Sequence, residues 1–131
     1  MIGLDTNILV RYITQDHPAQ TAAAVRLIDS FSADSPGFVS LIAITELAWV
    51  LEDSYQFSKN EIENVLEILL RTAELVIEQA DIVERALRGY KAGKADFADC
   101  LIERCGAAAK CEHTLTFDKK AAKTVGMRLL G

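Results

Sequence analysis

The chain alternates short apolar runs with longer stretches in which apolar residues recur every three or four positions. Short apolar runs predict β-strands, whereas the wider spacing predicts amphipathic helices. The predicted strands are at 2–4, 38–40, 75–77, 113–117 and 127–130. The predicted helices begin at Pro18 and then cover 44–51, 59–70, 81 to about 93, 96 or 99 to 110, and 119–125.

Local signals support several of these helices. Pro18 suits the first turn of a helix, where its missing N–H is not needed. The helix that follows would carry an apolar stripe made of Ala22, Val25, Ile28 and Phe31. Ser58 and Glu61 form a capping-box pattern before the apolar positions of the next long helix. The segment 92–95 reads as a loop.

Strands that alternate with helices predict an α/β domain with a mainly parallel sheet covered on both faces. A chain of 131 residues is long enough to bury one core, so we expect a single domain spanning 1–131. The apolar helix faces at Ile44–Leu51 and Ile62–Leu70 exceed what a small core needs, which favours a homodimer through them.

Composition limits the classes of function. Half of the residues are apolar and the net charge is −5, so the chain is not a basic protein that coats nucleic acid. No apolar stretch reaches membrane-spanning length, and no export signal is present at the N-terminus, so we expect a cytoplasmic protein with no membrane partner. Cys100, Cys105 and Cys111 read as reduced thiols, because their spacing does not match a zinc site even with His113 nearby.

Acidic residues stand where the predicted strands end. Asp5 interrupts an apolar opening, and an ionised carboxylate beside a core needs a compensating partner. Glu46 comes shortly after the second strand and Asp118 directly after the fourth, while Asp96 and Asp99 open the helix that leads into the fourth. Because ligand sites form outside the carboxyl ends of parallel strands, these acids are expected to meet at one edge of the sheet.

Each acid also has a simpler explanation. Asp5 would cap the turn after the first strand, Glu46 would be an exposed helix residue, and Asp96, Asp99 or Asp118 would be N-caps. One shared cause accounts for all of them better: a divalent cation, Mg²⁺ or Mn²⁺, that relieves their mutual repulsion. Such an ion supports hydrolysis of phosphodiesters. Hydrogen bonds from outside the ligand set would come from Thr6, Asn7 and Thr116.

Basic residues are spread along the chain, and most of them read as solvated helix faces. Those that flank the acidic positions in sequence are suited to holding a nucleic-acid backbone on either side of the ion. The RNA-binding candidates are Arg11, Lys91, Lys94, Lys119 and Lys120.

Four segments of the chain contain these acids: LDTNILVRYI, ITELAWVL, ADFADCLIERC and TFDKKA. Taken together, they resemble the PIN-domain ribonucleases, and in particular the VapC toxins of toxin–antitoxin pairs. The resemblance implies a three-layer α/β/α sandwich with a parallel sheet, Mg²⁺ or Mn²⁺ as cofactor, and cleavage of RNA. It also implies a dimer and inhibition by a small VapB-like antitoxin protein.

Carried over by position, the resemblance makes Asp5, Glu46 and Asp118 catalytic metal ligands. The remaining acid precedes an apolar helix in the pattern D-x-x-I, which matches Asp99 and Ile102. Asp96 lies three residues earlier and is the secondary candidate, so the choice between the two stays open.

Two other functions fit an α/β domain with acids at strand ends. A phosphoacceptor signalling domain would need adjacent acids after the first strand, but Thr6 follows Asp5. A non-catalytic RNA-binding or regulatory module on the same fold would tolerate loss of the acids, so Asp5→Asn would leave its RNA binding intact.

Overall fold

The computed structural model describes residues 1–131 and divides into two compact units, Met1–Ala80 and Asp81–Gly131. The expectation of one domain over the whole chain stays a prediction.

The first unit contains three strands and four helices. In chain order they are β1 (Ile2–Gly3), α1 (Thr6–Thr14), α2 (Pro18–Asp29), β2 (Gly37–Val39), α3 (Leu41–Asp53), α4 (Lys59–Arg71) and β3 (Leu75–Ile77). The strands form one parallel sheet in the order β1-β2-β3, with Gly37 paired to Ile2 on one side and to Leu75 on the other. The α/β class with parallel strands is confirmed.

Helix α1 is absent from the elements that the hydrophobic pattern predicts. It begins at Thr6, only three residues after β1 ends, and the Asp5 side chain caps it. Its apolar residues Ile8 to Val10 are contiguous, so they show no clear helical period. The helix ends where Gln15 adopts a left-handed conformation with φ 54°.

Helix α2 begins at Pro18 as predicted, with the His17 ring accepting a hydrogen bond from the Gln20 backbone N–H. The predicted stripe is wrong at Ala22, which is exposed, whereas Ala24 is buried in the same helix. Ala24 and Ile28 are spaced i, i+4, so the buried face is rotated from the predicted one.

The core of the first unit is formed by the faces that were predicted to make a dimer. Ile44, Leu47 and Leu51 of α3 are almost completely buried, as are Ile62 and Leu66 of α4. These residues are therefore not available to a second copy. The exposed large apolar side chains of these two helices are Ile42, Trp49 and Ile68.

The second unit contains α5 (Ala80–Ala92), α6 (Phe97–Ala108), β4 (Leu115–Thr116), α7 (Lys119–Thr124) and β5 (Arg128–Leu129). Strands β4 and β5 pair in parallel as a separate sheet. They are shorter than predicted. The predicted inner face of α5 is confirmed by the burial of Val83, Ala86, Leu87 and Tyr90.

Helices α5 and α6 pack through an aromatic pair. The rings of Tyr90 and Phe97 meet edge to face, with centroids 5.9 Å apart and planes at 87°. The loop predicted at 92–95 lies between these helices, and Asp96 follows it as the N-cap of α6. In neither unit does a helix have the length and apolar character needed to cross a bilayer.

Candidate active site

Three polar residues follow the three strands of the first unit. Asp5 comes two residues after β1, Ser40 directly after β2 and Glu78 directly after β3. Because the strands are parallel, these positions share one edge of the sheet. This is the edge at which α/β sheets bind ligands.

Asp5 caps α1 with only one of its carboxylate oxygens. Its Oδ1 accepts a hydrogen bond of 2.8 Å from the Thr6 backbone N–H, while the residue is exposed. The other oxygen accepts no hydrogen bond from the protein. The turn-capping explanation is therefore correct for this residue, and it leaves half of the carboxylate available to a ligand.

Glu46 lies in the second turn of α3 and faces solvent. Ile44 and Leu47 beside it are buried, so Glu46 occupies the opposite face with Ile42 and Trp49. Its carboxylate makes no hydrogen bond within the chain. Glu46 is therefore an exposed helix residue, as its simpler explanation predicted. Its carboxylate is also accessible to an ion.

Glu78 was missed by the sequence reasoning. Its Oε1 accepts a hydrogen bond of 2.8 Å from the backbone N–H of Leu41, the first residue of α3. The carboxylate therefore stabilises the positive end of that helix. The available signal was a glutamate directly after the apolar run 75–77, in the position that Asp5 and Asp118 occupy after their strands.

The second unit brings three carboxylates into one electrostatic cluster: Asp96, Asp99 and Asp118. Asp96 caps α6 by accepting a 2.8 Å hydrogen bond from the Asp99 backbone N–H. Asp118 caps α7 by accepting a 2.9 Å hydrogen bond from the Lys120 backbone N–H. Asp99 lies in the first turn of α6 and is partly buried.

The cluster raises the pKa of Asp99. Burial is the largest cause, followed by the negative charges of Asp96 and Asp118 and by a hydrogen bond with Asp96. The Lys120 ammonium opposes the shift. The pKa rises because the ionised form of Asp99 is poorly solvated and is repelled by its neighbours. A bound cation would relieve both effects.

Three residues were expected to hold the acidic side chains in place through hydrogen bonds, and their contacts in the structure differ. Thr116 Oγ1 accepts a 3.0 Å hydrogen bond from the Asp118 backbone N–H and so fixes the turn that carries this acid. Thr6 contributes through its backbone N–H to Asp5. Asn7 makes no hydrogen bond to a carboxylate and instead lines a pocket between α1 and α2.

The predicted RNA-binding residues fall into two groups, one arginine held by other side chains and four exposed lysines. Arg11 is held in a polar network with Gln20, Asp16 and Tyr55. Lys94, Lys119 and Lys120 are exposed, and the positive charge of Lys120 acts on Asp99. Lys91 is exposed in the last turn of α5.

The acids fit a hard divalent cation by their chemistry, since carboxylate oxygens are the ligands that Mg²⁺ and Mn²⁺ prefer. As the side chains stand, no group of three His, Cys, Asp or Glu residues has the arrangement of a metal site. The three cysteines are free thiols, of which Cys100 is buried and Cys111 exposed.

The fold and the acids define an α/β domain with parallel strands and carboxylates placed after the strands. Residues 2–126 match the PIN domain family, so the chain belongs to the PIN domain family. Members of this family are generally nucleases and typically use divalent metals. A search of curated proteins found no match to the chain.

Proposed function

We propose that the chain is a Mg²⁺- or Mn²⁺-dependent endoribonuclease. The observation that carries this proposal is the cluster of Asp96, Asp99 and Asp118 in a chain that matches the PIN family over residues 2–126, and the raised pKa of Asp99 supports it. Perturbed acids that lie close together are typical of functional sites.

The proposed metal ligands are the four acids that the family resemblance indicates: Asp5, Glu46, Asp99 and Asp118. When bound, the ion would lower the pKa of a water molecule and balance charge on the phosphate. Asp5 and Asp118 each offer the oxygen that their helix cap leaves unused. Asp99 is preferred as the ligand because it is partly buried beside the charges of Asp96 and Asp118, and Asp96, which also holds the Asp99 backbone through Oδ1, is the secondary candidate.

The proposed substrate is RNA, and exposed cations would hold its backbone. Lys120 acts electrostatically on Asp99, so a phosphate drawn to Lys120 would arrive beside the proposed ligand. Lys119, Lys91 and Lys94 would contribute further contacts with the RNA backbone. The net charge of −5 makes such local cations more important, because the chain as a whole repels RNA.

We further propose that the protein acts in the cytoplasm as the toxin of a VapBC-type pair and is inhibited by a small VapB-like antitoxin. The support is the resemblance of its four acidic segments to VapC proteins. A homodimer is also proposed, now through the exposed Ile42, Trp49 and Ile68 rather than through buried faces of the same helices.

The experiment is cleavage of a mixed single-stranded RNA pool with Mg²⁺, with Mn²⁺ and with excess chelator. Asp99→Asn is run beside the wild type, and Glu84→Gln, an exposed acid of α5, is the matched control. We expect metal-dependent cutting that is lost in Asp99→Asn and kept in Glu84→Gln. Cutting in chelator, or full activity of Asp99→Asn, would contradict the proposal.

A second candidate function is a non-catalytic RNA-binding module on the PIN fold. It is favoured by one observation, that no three side chains have the arrangement of a metal site. Titration of the protein with Mn²⁺ by calorimetry separates the two functions. A module without a metal site would bind RNA in chelator and would show no heat of Mn²⁺ binding.

A further inference from the structure

Helices α1 and α2 enclose a pocket of about 310 Å³ that the acidic site does not include. Its apolar lining comes from both helices, and its polar lining comes from three residues, Asn7, Arg11 and Gln20. The apolar lining residues are Ile8, Ala23, Ala24 and Leu27. Ala24 is buried whereas Asn7 and Gln20 are exposed, so the pocket runs from an apolar interior to a polar mouth.

The Arg11 guanidinium is fixed in this pocket by three side chains. Its Nε donates to Gln20 Oε1 at 2.7 Å, and its Nη1 donates to Asp16 Oδ1 at 3.3 Å and to the Tyr55 hydroxyl at 3.1 Å. The Tyr55 hydroxyl in turn donates to Asp16 Oδ2 at 2.8 Å. The Nη2 group has no acceptor in the protein, so its two N–H donors are held ready for a ligand.

Two further groups at the mouth are unused. The Gln20 side chain accepts from Arg11 through Oε1, which leaves its Nε2 donors without a partner. The Asn7 amide makes no hydrogen bond, although the residue lies in the first turn of α1. The pocket therefore offers a set of fixed donors, together with one amide that both donates and accepts.

Resting on the nuclease function proposed above, we propose that this pocket binds one nucleobase of the RNA strand next to the cleaved bond and prefers guanine. A base has flat apolar faces for the lining of Ile8, Ala23 and Leu27. Guanine presents two neighbouring acceptors, O6 and N7, to the unused N–H donors of Arg11 Nη2 and Gln20 Nε2, and arginine is a common partner of this base edge. The Asn7 oxygen is available to accept from the N–H groups of the same base.

The charges favour a base over a phosphate. Asp16 already balances Arg11 through a direct ion pair of 3.3 Å, so the pocket carries little net positive charge. A phosphate would need that charge, whereas a neutral base needs only the unused N–H donors. Asn7, at one end of the pocket lining, is two residues from Asp5 in sequence, so the pocket and this proposed metal ligand both belong to the N-terminal part of α1.

The first test measures binding without cleavage. The wild-type chain, labelled with ¹⁵N and kept in chelator, is titrated with guanosine, adenosine, cytidine and uridine in separate NMR experiments. We expect shifts confined to α1 and α2, with guanosine binding most tightly. Ala23→Leu should weaken guanosine binding about tenfold by filling the pocket, the size of one lost base contact. Ala22→Leu, on an exposed and non-lining position of α2, should not.

The second test maps the ends of the RNA fragments. We expect the wild type and Ala22→Leu to share a guanine preference at one position beside the cut, and Ala23→Leu to keep metal-dependent cutting while losing that preference. An unchanged preference in Ala23→Leu, or guanosine shifts outside the pocket, would overturn the proposal. If no variant cuts RNA but guanosine still shifts the pocket residues, the nuclease function fails and base binding stands.

Discussion

Three aspartates of this chain cap helices and also carry a negative charge. Asp5, Asp96 and Asp118 are all N-caps, and each uses one oxygen for the cap. A cap does not require a charge, because serine serves equally well, as Ser40 and Ser58 do in this chain. The negative charge is therefore an additional feature, and in the second unit it raises the pKa of a neighbouring acid.

Replacing Asp118 by asparagine tests the effect of its charge separately from the effect of its helix cap. Asparagine keeps an oxygen for the Lys120 N–H but loses the charge, so the cap survives and repulsion of Asp99 falls. We expect cleavage of RNA to fall roughly a hundredfold, because a ligand of the ion is lost. The melting temperature in chelator should stay the same or rise. A large loss of stability would show that the charge supports the fold instead.

Ser58→Ala is the opposite kind of substitution, because it removes a cap without changing the charge. It removes the side-chain half of the capping box of α4, in which Ser58 and Glu61 exchange hydrogen bonds with each other's backbone N–H. We expect a loss of about 1 kcal/mol in the free energy of unfolding, the usual value for an N-cap. Denaturant unfolding measures it. Cleavage per folded molecule should be unchanged, and a parallel loss of activity would contradict the assignment of Ser58 to stability alone.

Tyr55 links pH to the stability of the first unit. Its hydroxyl hydrogen bond to Asp16 is the largest cause of the lowered pKa of that carboxyl. An acid with a lowered pKa in the folded state stabilises the fold above its ordinary value of 3.8, and this contribution is lost as the pH falls further. Tyr55→Phe should therefore lower the melting temperature at pH 7, and the difference from wild type should shrink below pH 3.8.

The matched control for Tyr55 is Tyr12→Phe. The Tyr12 hydroxyl makes no hydrogen bond, so its removal should leave the melting temperature unchanged at every pH. Thermal unfolding followed by circular dichroism from pH 7 to pH 2.5 gives both profiles. A Tyr55→Phe difference that stayed constant over this range would show that the pKa of Asp16 does not depend on Tyr55.

At the scale of helices and strands, the elements with explicit end signals could be predicted best. The capping box at Ser58 and the loop after α5 set helix ends that the structure confirms. The strand 75–77 is confirmed at both ends. Helix α1 could not be predicted, because its cap follows β1 so closely that Asp5 read as the end of a strand rather than the start of a helix.

The candidate site was predictable only in part. The positions of Asp5 and Asp118 after strands follow from the alternation of elements, and the structure confirms those positions. Glu78 was missed because its partner, the Leu41 N–H, lies 37 residues away in sequence. The restraint of Arg11 by Tyr55 spans 44 residues, so it also depends on tertiary packing that no local pattern reveals.

The C-terminal part of α6 depends on a close contact with the chain that follows it. A Cβ atom at Gly106 would overlap the Thr114 hydroxyl oxygen Oγ1. Glycine inside a helix otherwise costs about 0.5–1 kcal/mol relative to alanine. We expect Gly106→Ala to destabilise the wild type but to stabilise a Thr114→Ala background.

A double-mutant cycle in denaturant measures whether the effect of Gly106→Ala on the free energy of unfolding changes sign between the two backgrounds. The expected coupling between Gly106 and Thr114 is on the order of 1 kcal/mol. Thr114→Ser is the control, because it retains the hydroxyl oxygen and should not rescue Gly106→Ala. Equal effects of Gly106→Ala in all three backgrounds would mean that Thr114 moves away freely, and that glycine is not required at this position.

At the scale of the whole molecule, the chain carries an excess of negative charge, and part of it lies on the proposed metal ligands. The net charge is −5, and the proposed ligands alone contribute four negative charges, those of Asp5, Glu46, Asp99 and Asp118. In the second unit the charges of Asp96 and Asp118 act on Asp99, and carboxylates held together in this way oppose folding, because they repel one another less in the unfolded chain. The metal-free protein should therefore be less stable than its core allows.

Binding of an ion should reverse this loss. An ion that binds only the folded state stabilises it by about 2.7 kcal/mol when its concentration is a hundred times its dissociation constant. After treatment with chelator, Mn²⁺ or Mg²⁺ at millimolar concentration should raise the melting temperature by several degrees. Asp5→Asn and Asp99→Asn should each abolish most of this shift, whereas Glu84→Gln should retain it. If Asp99→Asn lost the shift while Asp5→Asn kept it, Asp5 would not be a metal ligand, and the ligand set would have to come from the second unit.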